Sequence, residues 1–186
     1  MGYKHAANVD RVRDILSILR EFVKSSKRLA VVCLGNELRG DDAVGKIVCE
    51  QLARLCGEKL YIVYAGQDAA RVVGLALEGY NVLLVDAIVY GRGRIGDIVV
   101  AKVESLAKNN SLLPSTHTIS IGEYTRYLKS RVLVVGVNVN PDNLGLGNKI
   151  SKEVKEASHV LVGLLANMLS CTSGAQKPES STLEGV

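Results

Sequence analysis

The stretch Leu29-Ala30-Val31-Val32-Cys33-Leu34-Gly35-Asn36-Glu37-Leu38-Arg39-Gly40-Asp41-Asp42-Ala43-Val44-Gly45 decides the reading of the fold. Residues 29–34 are apolar without a break and end at Gly35-Asn36, the pattern of a strand covered on both faces. From Asp42 onward the apolar period changes. Val44, Ile47, Val48, Leu52 and Leu55 share one helical face, and Gly57 is placed to stop that helix. A buried strand, a glycine-bearing turn and a helix in succession open a βαβ unit, in which the next strand runs parallel to the first.

The same alternation continues in both directions. Upstream, Val12, Ile15, Leu16, Leu19, Phe22 and Val23 predict a helix over 9–24 with Asn8 as N-cap, after a loose terminus over 1–8. Downstream, the pattern predicts a strand over 60–64, a loop at Ala65-Gly66-Gln67 and a helix over 68–77. A buried strand over 82–85 follows and ends at Asp86. The turn 90–94 and a return strand over 96–103 are too short to hold a crossover helix, so this pair reads as an antiparallel hairpin. Residues 108–114 read as polar loop, 119–128 as a short helix, 131–137 as a fifth strand, 138–148 as loop and 150–169 as a long amphipathic helix. The sum is an α/β chain: a three-layer α/β/α sandwich on a mostly parallel five-stranded sheet with one antiparallel strand. It divides into an N-terminal helical extension (1–28), the α/β domain (29–170) and a tail (171–186) rich in Ser, Thr, Glu and Pro that is expected to be disordered.

Composition agrees with one domain. The chain has 186 residues, 47% of them hydrophobic and 23% charged, with one Phe, seven Tyr and no Trp, so its core must be built from Val, Leu, Ile and Ala. The net charge of +4 is spread among acidic residues rather than gathered, which argues against a nucleic-acid surface. No apolar run approaches the ~18 residues of a membrane span, and no signal peptide is visible. The four cysteines form no CxxC pair, so they read as buried reduced thiols of a cytoplasmic protein.

Ligands of open parallel sheets bind outside the carboxyl ends of the strands. Three polar segments fall near such ends: Gly35 to Gly45, Asp86-Ala87, and Ser115-Thr116-His117-Thr118. Gly35 to Gly40 has the spacing of a phosphate loop, but Asp41 and Asp42 stand where a phosphate site needs Lys and a hydroxyl. Two carboxylates there repel phosphate. Asp at a helix start is ordinary capping; one satisfies that need, and the second is available to a ligand. Asp86 can begin a turn or serve a site. His117 can cap a helix or bind. His5 and His159 take structural readings. Asp42, Asp86 and His117 together suit nickel, zinc, iron or manganese better than calcium or magnesium, and can also be read as acid/base machinery. No GxSxG elbow is present and no cysteine lies in a polar loop.

Gly35-Asn36-x-Leu38-x-x-Asp41-Asp42-x-x-Gly45 resembles the opening motif of the hydrogenase maturation proteases. Val85-Asp86-Ala87 and Ser115-Thr116-His117 resemble that family's second and third motifs, in the same order, and the likeness runs from about Val31 to Leu169. The resemblance implies an endopeptidase that removes the C-terminal extension of a nickel–iron hydrogenase large-subunit precursor after nickel insertion. It implies Asp42, Asp86 and His117 as the residues that bind nickel carried by that substrate, with the site otherwise empty; the metal can polarise the scissile carbonyl or a water, or only position the substrate while Asp41, Asp42 or Asp86 acts as base, with Asp42 and Asp86 the expected catalytic carboxylates. It implies a cytoplasmic protein, a monomer or weak homo-oligomer, with no nucleic-acid or membrane partner. Two other readings fit the residues: a non-catalytic binder of the metal-loaded precursor, and a metallohydrolase with zinc of its own. The loop Ala65-Gly66-Gln67-Asp68 differs from the paired glycines that many members carry there.

Overall fold

The computed structural model describes residues 4–91, 93–102, 112–114 and 131–171. In chain order these form α1 (Lys4–Ser25), β1 (Leu29–Leu34), a 3₁₀ turn (Gly40–Ala43), α2 (Val44–Cys56), β2 (Tyr61–Gly66), α3 (Ala70–Leu77) and β3 (Asn81–Tyr90). Then come β4 (Ile98–Lys102), β5 (Leu112–Pro114), β6 (Val132–Asn138) and α4 (Lys152–Met168). The main sheet path is β2-β1-β3-β6-β4. Its β2, β1, β3 and β6 are mutually parallel, and β4 runs antiparallel to β6 at the edge. This is the expected five-strand arrangement with one antiparallel member. The three-residue β5 is added to it, antiparallel to the end of β3.

The sheet is buried because apolar residues cover both of its faces. Val31, Cys33, Leu83, Val85, Leu133 and Val135 pack with α1, α2 and α4 through Leu19, Val48, Leu52, Leu161 and Leu165. Ala30, Val32, Leu34, Val82, Leu84 and Val134 pack on the other face with Val72 and Leu75 of α3. Alternate residues of each strand thus serve opposite layers, as the period of two requires.

Several expectations are corrected. The return strand does not pair with β3. β4 crosses to the far side of β6, with Val99 opposite Gly136, and β3 takes β5 instead, from a segment read as polar loop. The turn 90–97 reaches over β6 because Asn138 holds it, donating from Nδ2 to the carbonyls of Tyr90 and Arg94. Helix α1 begins at Lys4, ahead of Asn8, so Asn8 is not its N-cap. The reduced thiols are also contradicted. Cys33 is joined to Cys49 and Cys56 to Cys171, across sequence separations of 16 and 115. Linear spacing gives no sign of either pair, since both arise only when α2 lies on β1 and α4 ends beside α2. The helix expected over 119–128 and the tail from 172 lie outside the described residues. No helix among the described residues is long and apolar enough to cross a membrane.

Candidate functional site

The chain leaves β1 toward β2 on one side and returns to β3 on the other, so β1 and β3 are neighbours whose connections diverge. Diverging connections open a crevice at the carboxyl ends of the two strands, the usual ligand position in such sheets. The loop from Gly35 and the far half of β3 border this crevice, and the 3₁₀ turn carrying Asp41 and Asp42 packs against β3.

The Gly35 loop is tightly determined. Gly35 has φ +129°, and a Cβ there would lie 2.1 Å from the Asp42 carbonyl oxygen, so only glycine permits this approach. Its N–H donates to the Gly66 carbonyl at 2.9 Å. Its carbonyl accepts from the Tyr64 hydroxyl at 2.8 Å. The next N–H, that of Asn36, donates to Asp42 Oδ2 at 3.0 Å. Asn36 Oδ1 in turn accepts from the Leu38 N–H at 2.9 Å, an Asx turn that closes the loop.

These bonds separate the two aspartates. Capping was the ordinary explanation for Asp42, yet α2 has Ala43 as its N-cap residue and receives no side-chain cap there. Asp42, 3% exposed, is bound to the loop instead. Asp41 turns to the distant helix: its Oδ1 accepts from the Ser151 N–H at 2.7 Å, at the N-terminus of α4. There it lines an open polar depression of about 660 Å³ with Asn140, Asn143, Lys149 and Ser151. The first aspartate therefore ties the loop to α4, and the second ties it to the Asn36 N–H.

Asp86 is not at a strand end. β3 runs four residues further, to Tyr90, and Asp86 pairs across with Gly136 of β6 inside the sheet. The reason is that β6 and β5 keep pairing with β3 after β1 has stopped. Val85 is the last residue of β3 registered with β1, opposite Cys33. Asp86 thus lies one residue past the point where β1 departs and is fully buried. Its Oδ1 accepts from the Ala87 N–H at 2.8 Å. A carboxylate among Val85, Ala87 and Ile88 costs several kcal/mol unless hydrogen bonds or charge hold it, and the Ala87 N–H is one group that holds it.

His117, with Ser115 and Thr116, lies outside the described residues. Among the described residues no three His, Cys, Asp or Glu side chains gather in a group able to hold a metal ion. Tyr64 is a residue that sequence reasoning passed over as the end of a strand. Burial, then the charges of Asp42 and Glu50, push its phenol above the ordinary tyrosine value, so it stays a hydrogen-bond donor through the neutral range. No local pattern could have singled it out, because its partner is 29 residues away.

Comparison with known proteins identifies the family. The family model described as hydrogenase maturation protease matches residues 47–168. A Methanocaldococcus jannaschii protein, named provisionally as a hydrogenase maturation protease, is 28% identical over 82% of this chain and 94% of its own. The crystal structure of the NiFe hydrogenase maturation protease HycI from Thermococcus kodakarensis superposes with a TM-score of 0.65. It is 29% identical and covers 82% of this chain and 99% of its own. The hydrogenase maturating endopeptidase HybD of E. coli, at 20% identity and a TM-score of 0.61, shares the fold over 77% of this chain and 92% of its own.

Proposed function

The chain belongs to the hydrogenase maturation protease family, and from that premise we propose that this endopeptidase removes the C-terminal extension of a nickel–iron hydrogenase large-subunit precursor once nickel is in place. The observation that carries this reading is the placement of Asp42 in the turn that packs against β3, the strand in which Asp86 is buried one residue past its last pairing with β1. One is bound to a glycine loop instead of capping its helix, and the other is buried in the sheet where β1 departs.

In this reading, Asp42, Asp86 and His117 approach the nickel that the substrate carries. Two carboxylates and an imidazole suit a borderline divalent ion, and three protein groups leave positions for the precursor's own ligands. The enzyme supplies half of a nickel site and the substrate the other half, so an empty precursor offers nothing to hold. Nickel is then a recognition element, and the hydrolytic step needs a base for the attacking water. Asp42 and Asp86 are the candidates, since Asp41 is committed to the start of α4. We place the enzyme in the cytoplasm; its two disulfides are compatible with that, because intracellular proteins of hyperthermophilic archaea and bacteria carry such bonds.

The test is incubation of the purified chain with a nickel-loaded cognate precursor, followed by C-terminal mapping of the product. The expected result is one cut that releases the extension, lost in Asp86→Asn. A precursor that binds but is never shortened would overturn the assignment.

A further inference from the structure

One planar peptide group links β2 to the candidate site. The carbonyl of the Gly35–Asn36 peptide accepts from the Tyr64 hydroxyl at 2.8 Å, and the N–H of the same peptide donates to Asp42 Oδ2 at 3.0 Å. Because the group is rigid and its C=O and N–H point in opposite directions, whatever sets the direction of one sets the other. Here the backbone ladder does not set it alone. The β1–β2 register shifts between Cys33 and Leu34, immediately before the loop leaves the sheet. Gly35, at φ +129°, adds conformational freedom at the joint.

We propose that Tyr64 is a positioning residue for Asp42, acting through the Gly35–Asn36 peptide plane. The phenol fixes the plane from the β2 side, and the plane presents its N–H to the Asp42 carboxylate. A hydrogen bond accepted by the carbonyl also polarises the peptide, which strengthens the N–H as a donor. Phenylalanine at 64 keeps the ring packing but leaves the buried Gly35 carbonyl without this donor, and the peptide is then free to rotate away from Asp42. This inference rests on the proposed role of Asp42 in holding the precursor.

The experiment compares the full chain with Tyr64→Phe, and with Tyr61→Phe as a control on the same strand. Amide hydrogen exchange of Asn36 is measured on the protein alone, and KM and kcat are measured on nickel-loaded precursor. In Tyr64→Phe, Asn36 exchange should rise about tenfold and KM about tenfold, the size of one lost hydrogen bond to a charged group. Tyr61→Phe should change neither. A purely structural tyrosine would lower the melting temperature and leave Asn36 exchange and KM at wild-type values; that result, or an unchanged KM despite faster exchange, would overturn the proposal. Exchange needs no precursor. If the wild-type chain cleaves nothing, the function reading fails while the exchange comparison still decides the peptide-plane link.

Discussion

At the scale of single residues, Asp86 tests the site most sharply. Asparagine matches its shape and keeps an oxygen for the Ala87 N–H, but removes the charge. Asp86→Asn should therefore fold with a melting temperature near wild type while kcat/KM for the precursor falls about 10²-fold or more, as for loss of a catalytic base. Circular dichroism and cleavage kinetics together check this. Tyr64 supplies a pH prediction. Its folded pKa is raised, so its protonated phenol contributes stability that is complete below the ordinary value of 10.0 and is lost as pH climbs through the raised value. Phenolate absorbance during alkaline titration should show a late-ionising component among the seven tyrosines, absent in Tyr64→Phe. Of the candidate site residues, Asp42 and Asp86 stand out in the sequence because carboxylates interrupt apolar or glycine-rich surroundings. Tyr64 was not legible, because it acts through a bond to a loop in another unit of the chain.

At the scale of elements, the close approach of α2 to β1 sets where Asp42 sits. Gly45 lies at the first turn of α2, and a Cβ there would come within 1.8 Å of the Leu34 carbonyl oxygen. Alanine is the better helix former by about 1 kcal/mol. The clash is with backbone that cannot rotate aside, so overpacking outweighs propensity, and Gly45→Ala should lose about 2 kcal/mol or more in a denaturant titration. Strands β1 and β6 and helices α2 and α4 were readable from period and punctuation within a few residues. The extent of β3 was not. Asp86 looked like a terminator, yet the strand continues through it because β6 and β5 supply its partners, a fact of pairing rather than of local sequence. The placement of β4 beyond β6 failed for the same reason: chain proximity favoured a hairpin, and Asn138 holds the turn over the sheet instead.

For the whole molecule, the disulfides join what the core already packs. Cys33–Cys49 fastens α2 to β1, and Cys56–Cys171 fastens the end of α2 to the segment just after α4. The chain-entropy model assigns about 3 kcal/mol to a closure the size of the first and about 5 kcal/mol to one the size of the second. For a domain of this size, Cys56→Ser with Cys171→Ser should lower the melting temperature by about 10–20 °C. Calorimetry with and without reductant measures this, and an unchanged transition would show that the second bond constrains nothing.

The proposed reading of substrate-borne nickel by the enzyme is decided by the nickel dependence of the cut. A large-subunit precursor is prepared empty and nickel-loaded, incubated with the chain, and its intact mass is followed. The nickel-loaded precursor should lose its C-terminal extension while the empty one keeps its full mass. Equal shortening of both forms would contradict the claim.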